Sequence, residues 1–138
     1  MQVQPYLIFN GRCDEAIAFY KKTLKAEVAM LLRFKEAPDQ SMITPESAEK
    51  VMHCALKIGA TIILASDGDC RGTGNFGGFS LTITADSDAE AEKLFAALGD
   101  GGEVRMPISP TFFATRFGML SDRFGVGWMV IVPKEMAH

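Results

Sequence analysis

Few side chains in this sequence could do acid–base or nucleophilic chemistry. It holds two histidines, His53 and His138, and three cysteines, Cys13, Cys54 and Cys70. A nucleophilic serine or cysteine needs a base beside it. His138, the last residue, is expected to fray, which leaves His53 to serve any such pair. No GxSxG elbow is present to carry a serine. The cysteines are odd in number and show no CxxC spacing, which reads as free thiols of a reducing compartment. A His-rich zinc site cannot be assembled from so few imidazoles. His53 has two readings: a satisfied structural histidine, or a pocket-lining group that acts as a general base.

Other motifs weaken on inspection. Gly72 to Gly77 fits GxGxxG, but a dinucleotide fingerprint opens a helix, whereas this stretch precedes a strand-like segment. Asp67-Gly68-Asp69 resembles the start of a calcium loop. Counting from Asp67, however, the twelfth position is Gly78 and not the bidentate glutamate. Arg33 and Arg116 are either anion anchors or arginines whose guanidinium reaches solvent. Asp122-Arg123 reads as turn chemistry. Phe112, Phe113 and Phe117, with Met106, Met119 and Met129, are packing residues or the lining of an apolar, adaptable site.

These groups must be positioned by a small globular chain. Its 138 residues are 48% hydrophobic and 22% charged, enough for one compact domain or two small modules with a core. The net charge is −3, so the basic footprint of a nucleic-acid binder is missing. No apolar run approaches the roughly 18–20 residues of a membrane span. The N-terminus lacks the charged and apolar regions of a signal peptide. The expected location is cytoplasmic.

Two similar halves follow. Tyr6 to Phe9 reads as a strand, and Asn10-Gly11 as a turn. Cys13 to Leu24 carries Ile17, Tyr20 and Leu24 on one helical stripe, with acids in its first turn and lysines in its last. Val28 to Phe34 is a strand. Residues 35–50, polar and holding two prolines, form a long loop or lid. Val51–Leu56 and Lys57–Ser66 are strands, with Gly59-Ala60 as their turn. Asp67 to Gly78 is a loop with five of the thirteen glycines. Phe79 to Ala85 alternates as a strand. Ser87 and Glu90 make a capping box for a helix with Ala91, Leu94, Phe95 and Leu98 on its inner stripe. Gly99 to Gly102 ends that helix. Val104 to Ile108 is a strand cut short by Pro107 and Pro110, and Ala114–Leu120 and Gly127–Val132 close the chain. Glu15-Ala16 matches Glu90-Ala91 at an offset of 75 residues, and Ile8 matches Ile83. The unit is βαβββ, present twice, as modules 1–70 and 76–138 of one domain, 1–138. A copy of about 60 residues buries too little surface alone, so the two are expected to pack together.

Several segments carry a family resemblance. They are Pro5 to Gly11 leading into Glu15 to Tyr20; His53 with Leu56 to Gly59; Leu64 to Asp67; Arg116 to Gly118; and Asp122 to Met129. The chain resembles the PhnB-like branch of the vicinal-oxygen-chelate superfamily, which includes glyoxalase I, ring-cleaving dioxygenases and bleomycin- and fosfomycin-resistance proteins. The resemblance implies a glyoxalase-like α+β fold: two βαβββ modules forming curled mixed sheets around a cleft, with helices outside. Metal-dependent members hold a divalent cation on four inward strand positions, two per module. Those positions fall here on Gln4, Ala55, Ser80 and Met129. Ala55 has no ligand atom, and Met129 is a soft thioether poorly suited to Mg, Mn, Ni or Zn. His53, two residues before Ala55, shares its face and adds one imidazole. Trp128, alternating with Met129, faces the other way.

The expected function is therefore a protein without the metal site or any cofactor. It binds a small, partly apolar molecule through Gln4, His53, Ala55, Ser80, Met129 and Phe113. The alternative is a glyoxalase-like lyase with a weakly held metal, or with His53 as catalytic base. The ubiquinone-methyltransferase label borne by some of this branch finds no nucleotide-binding helix start here. A homodimer is the family expectation and would cover exposed sheet edges.

Overall fold

The computed structural model describes residues 1–41, 43–68 and 76–134. The chain divides into two compact units, Met1–Gly74 and Asn75–His138. The first contains β1 (Tyr6–Ile8), α1 (Cys13–Leu24), β2 (Glu27–Arg33), a 3-10 turn at Phe34–Glu36, β3 (Val51–Ile58) and β4 (Thr61–Ser66). The second contains β5 (Leu81–Thr84), α2 (Asp88–Gly99), β6 (Glu103–Ser109), β7 (Ala114–Ser121) and β8 (Gly127–Pro133). Each unit is one βαβββ module with a four-stranded mixed sheet, ordered β1-β4-β3-β2 in the first and β5-β8-β7-β6 in the second. In both, the first strand lies parallel to the last and the other pairings are antiparallel. This is the glyoxalase-like α+β fold, and neither sheet closes into a barrel.

In the first unit α1 packs on β3. The buried stripe Cys13, Ala16, Ile17 and Tyr20 shares this core with Leu7, Cys54, Leu56, Ile63 and Ala65. Burying a Leu, Ile or Phe side chain in this way contributes about 1.5–3 kcal/mol. α1 ends at Lys25, which takes a left-handed conformation (φ 56°). In the second unit α2 packs on β7 and β8, burying Ala91, Phe95 and Leu98 with Leu120, Trp128 and Val130. Ser87 caps α2 as expected, its Oγ accepting from Glu90 N–H at 3.1 Å.

Several boundaries differ from the expectations: β3 continues to Ile58, β4 starts at Thr61 rather than Lys57, and β5 is confined to Leu81–Thr84. β6 runs through Pro107 to Ser109, one residue past its expected end at Ile108. β6 is an edge strand, where a missing N–H costs the ladder nothing on the solvent side. Gln4 precedes the first strand, because Pro5 has no N–H to open a ladder; the Pro5 carbonyl accepts from Leu64 N–H instead. Ser80 likewise lies just before β5. The expected loop at 35–50 is irregular after the 3-10 turn, tied back by Phe34 N–H to Lys50 O and Lys35 N–H to Ala48 O. Cys70, His138 and most of the 72–77 glycine motif lie outside the described residues.

Candidate functional site

Helix packing defines the two faces of each sheet. In the first, Cys54 and Leu56 point toward α1, so His53 and Ala55 occupy the opposite, free face. Register extends that face across four strands. Tyr6 pairs with Leu64, Leu64 with Ala55, and Ala55 with Met30. Leu32 pairs with His53 one step along. Ala55 is 9% exposed, its methyl group lying between Met30 and Leu64. Tyr6, Ile8, Met30 and Leu32 stay exposed, so this face is an unpartnered apolar surface within its unit.

His53 is the one imidazole among the described residues, and it is half-buried. Tyr6 Oη lies 3.1 Å from its Nδ1, with ring centroids 5.6 Å apart. A proton on Nε2 lets Nδ1 accept the phenol O–H and presents an N–H donor. A proton on Nδ1 reverses the bond and leaves Nε2 as a base. Gln4 does not join this pair. Its Nε2 donates to Ile62 O at 3.4 Å, one step along the sheet from the Ala55 row.

In the second unit Met129 lies on the free face and Trp128 on the helix face, as their alternation implies. Thr82, Met129, Met119 and Met106 form one continuous row across four strands. The next row holds Thr84, Ile131, Phe117 and Ser109. Phe113 is half-buried and edge-on to Phe117 at 5.1 Å, at the opposite end of the sheet from Ser80. Ser80 sits against Gly127, where an added Cβ would stand 2.9 Å from its Oγ.

The arginines are not anion anchors. Arg33 holds Asp14 of α1 with two bonds (2.9 and 3.1 Å) and donates to Glu49 O at 2.7 Å; the Asp14 carboxylate pushes this guanidinium further up. Arg116 pairs with Asp88 and Glu92 of α2 at 3.4 and 3.3 Å.

Two aspartates do more than the sequence suggests. Asp67 is fully buried. One of its oxygens accepts from Gly11 N–H and Cys13 N–H at 2.8 and 2.7 Å, and the other from Val51 N–H at 2.9 Å. Its carboxylate thus fills the N-terminus of α1, where an anionic ligand group would otherwise sit. Asp122, read from the sequence as a turn residue, is also buried. It accepts from Phe124 N–H, Val126 N–H and the Trp128 indole N–H at 2.9, 3.1 and 2.9 Å. The Asp67 role has no local signal, because its partners lie 16 to 56 residues away, whereas the Asp122 partners lie two to six residues on, within the turn that the sequence already indicates. Tyr6 was also missed as a site residue; only its alternation with Leu7 hints at the free face.

Among the described residues no group of three or more His, Cys, Asp or Glu side chains is placed to hold a metal ion. Among the described residues no buried side-chain nitrogen or oxygen is left without a hydrogen-bond partner. A shallow depression of about 610 Å³ beside α2, lined by Lys93, Phe95, Asp100 and Val104 among others, contains none of the expected site residues. No helix among the described residues is long and apolar enough to cross a membrane.

Residues 1–131 match the family model described as 3-demethylubiquinone-9 3-methyltransferase. The chain is 33% identical to protein YjdN of Escherichia coli K12, over 98% of this chain and 97% of that protein. It is similar to the crystal structure of PA1353 from Pseudomonas aeruginosa, at 41% identity and a TM-score of 0.85, covering 98% of this chain and 99% of that one. The PhnB protein of Bacillus cereus has the same fold, with a TM-score of 0.80 at 22% identity over 96% of this chain and 99% of that one.

Proposed function

The chain belongs to the 3-demethylubiquinone-9 3-methyltransferase family, the PhnB-like branch of the vicinal-oxygen-chelate superfamily, and we propose that it is a member without the divalent-metal site that binds a small, partly apolar molecule against its free sheet faces. The observation that carries this reading is the Ala55 row. At the position where metal-dependent relatives place a ligand, Ala55 offers a methyl group between Met30 and Leu64. Met129 offers a thioether between Thr82 and Met119. Divalent cations of this kind are held by carboxylates and imidazoles, and these rows supply neither, offering only the Tyr6 phenol and the Thr82 hydroxyl. Apolar side chains with a few polar groups suit an aromatic or aliphatic ligand, and the methionines adapt to its shape.

The reading does not extend to the methyl transfer in the family's description. Both helix N-termini, where an anionic cofactor group would dock, are filled by the chain's own oxygens: Asp67 at α1 and Ser87 at α2. A homodimer goes with the reading, since β2 and β6 are edge strands with exposed Val28, Met30, Leu32, Val104 and Met106.

The test is metal content after purification without chelator or affinity-tag metal, then thermal shift with Mg, Mn, Ni and Zn and with a panel of aromatic and aliphatic compounds. The expected result is substoichiometric metal, no metal-specific rise in Tm, and stabilisation by some apolar compounds that Ala55→Gln abolishes by filling the face. Near-stoichiometric metal with a specific rise in Tm overturns the reading.

One observation favours a second reading, a metal-free enzyme with His53 as base: the Tyr6 hydroxyl orients its ring. That reading requires turnover of a glyoxalase-type substrate with a pH–rate profile that disappears in His53→Ala.

A further inference from the structure

Cys13 opens α1 and Cys54 lies within β3. Both are free, both are fully buried, and their sulfurs stand 4.0 Å apart. The site on the free sheet face uses neither, because both point to the helix side. A disulfide has its sulfurs about 2.0 Å apart, so the gap to be closed is about 2 Å, shared between two side chains on adjacent elements. The two thiols are not equivalent. The contact with Cys54, with burial behind it, pushes the Cys13 thiol up, whereas the same contact stabilises a thiolate on Cys54 and brings it down. Either sulfur can donate to the other, and each stands within reach of its partner.

We propose that Cys13 and Cys54 form a redox modification site, a thiol pair that hydrogen peroxide closes to a reversible intramolecular disulfide. The Cys54 thiolate attacks one peroxide oxygen: an S–O bond forms, the O–O bond breaks, and hydroxide leaves. The Cys13 sulfur then attacks Cys54: the S–S bond forms, the S–O bond breaks, and the departing hydroxide takes the Cys13 proton as water. Two thiols are oxidised, and one peroxide becomes two waters. Neither sulfur meets solvent in this conformation, so peroxide reaches the pair by local opening of α1 from β3, an opening too small for bulky disulfides such as oxidised glutathione. The product ties the start of α1 to the strand that carries His53 and Ala55 on its other face.

The sequence makes the test direct, because its three cysteines fall on separate tryptic peptides, 13–21, 51–57 and 58–71. Reduced full-length protein is treated with hydrogen peroxide, alkylated in denaturant and digested without reductant. The expected product is peptide 13–21 joined to 51–57, lighter by two hydrogens than the free pair and lost on adding dithiothreitol. It forms equally in Cys70→Ser and is absent from Cys13→Ser and Cys54→Ser. The proposal is overturned in any of three cases: peptide 58–71 is oxidised while 13–21 and 51–57 stay reduced; Cys70 supplies one half of every link; or Cys54 proceeds to sulfinic acid with Cys13 present.

Discussion

At the scale of single residues, two buried carboxylates hold the structure and one aromatic pair characterises the free face. Asp67 joins the β1–α1 turn, the helix start and the first residue of β3 through three backbone N–H groups. Asp67→Ala strands those donors in the interior and is expected to cost about 3 kcal/mol, read as a lower urea midpoint. Trp128→Phe keeps the ring's bulk but deprives Asp122 of the indole N–H; a loss of about 1–3 kcal/mol is expected by the same measurement. Tyr6→Phe removes a half-exposed neutral hydrogen bond to His53. It should move stability by no more than about 0.5–1.5 kcal/mol while shifting the His53 ring resonances in NMR.

At the scale of elements, helices and sheets meet through small residues and caps. Gly118 on β7 lies under Phe95 of α2, where a Cβ would stand 2.6 Å from the ring and 3.0 Å from the Ile108 backbone. Gly118→Ala should therefore push α2 off the sheet and cost about 1–3 kcal/mol, with loss of near-ultraviolet dichroism preceding helix loss on heating. The 35–50 loop carries its own local order. Ser41 hydroxyl and N–H groups hold the exposed Asp39 carboxyl below its usual range. A depressed carboxyl stabilises the fold above its unfolded pKa, and that contribution fades as pH falls through the folded one. An NMR titration should show Asp39 ionising below a free aspartate, and Ser41→Ala should bring it back up. The edge strand β6 tolerates Pro107 because its outer side has no neighbour in the sheet.

At the scale of the whole molecule, the two units repeat one architecture with different side chains. α1 and α2 are both twelve residues long and begin 75 residues apart, the offset that the sequence repeat shows. Each sheet keeps an apolar face away from its helix, with one imidazole on the first and three methionines in a row on the second. That asymmetry sets the expected ligand chemistry. The net charge of −3 gives the chain no overall positive field. Light scattering should give a particle of twice the 15.0 kDa chain mass, and Met30→Lys on the exposed β2 edge should lower it toward one chain.

Residue order alone carries the βαβββ repeat, the strand and helix order, the family and the poverty of metal donors at Ala55 and Met129. These are legible because periodicity, caps and residue type are local properties of the chain. The fold decided what depends on contacts between distant segments. It placed Asp67 beneath Gly11, Cys13 and Val51, set the Tyr6 hydroxyl on His53 across 47 residues, and brought Cys13 to within 4.0 Å of Cys54 across 41. It also paired Arg33 and Arg116 with helix carboxylates. A hydrogen bond or sulfur contact between residues tens of positions apart leaves no periodic trace along the chain. It exists only once sheet register and helix packing bring the two ends together.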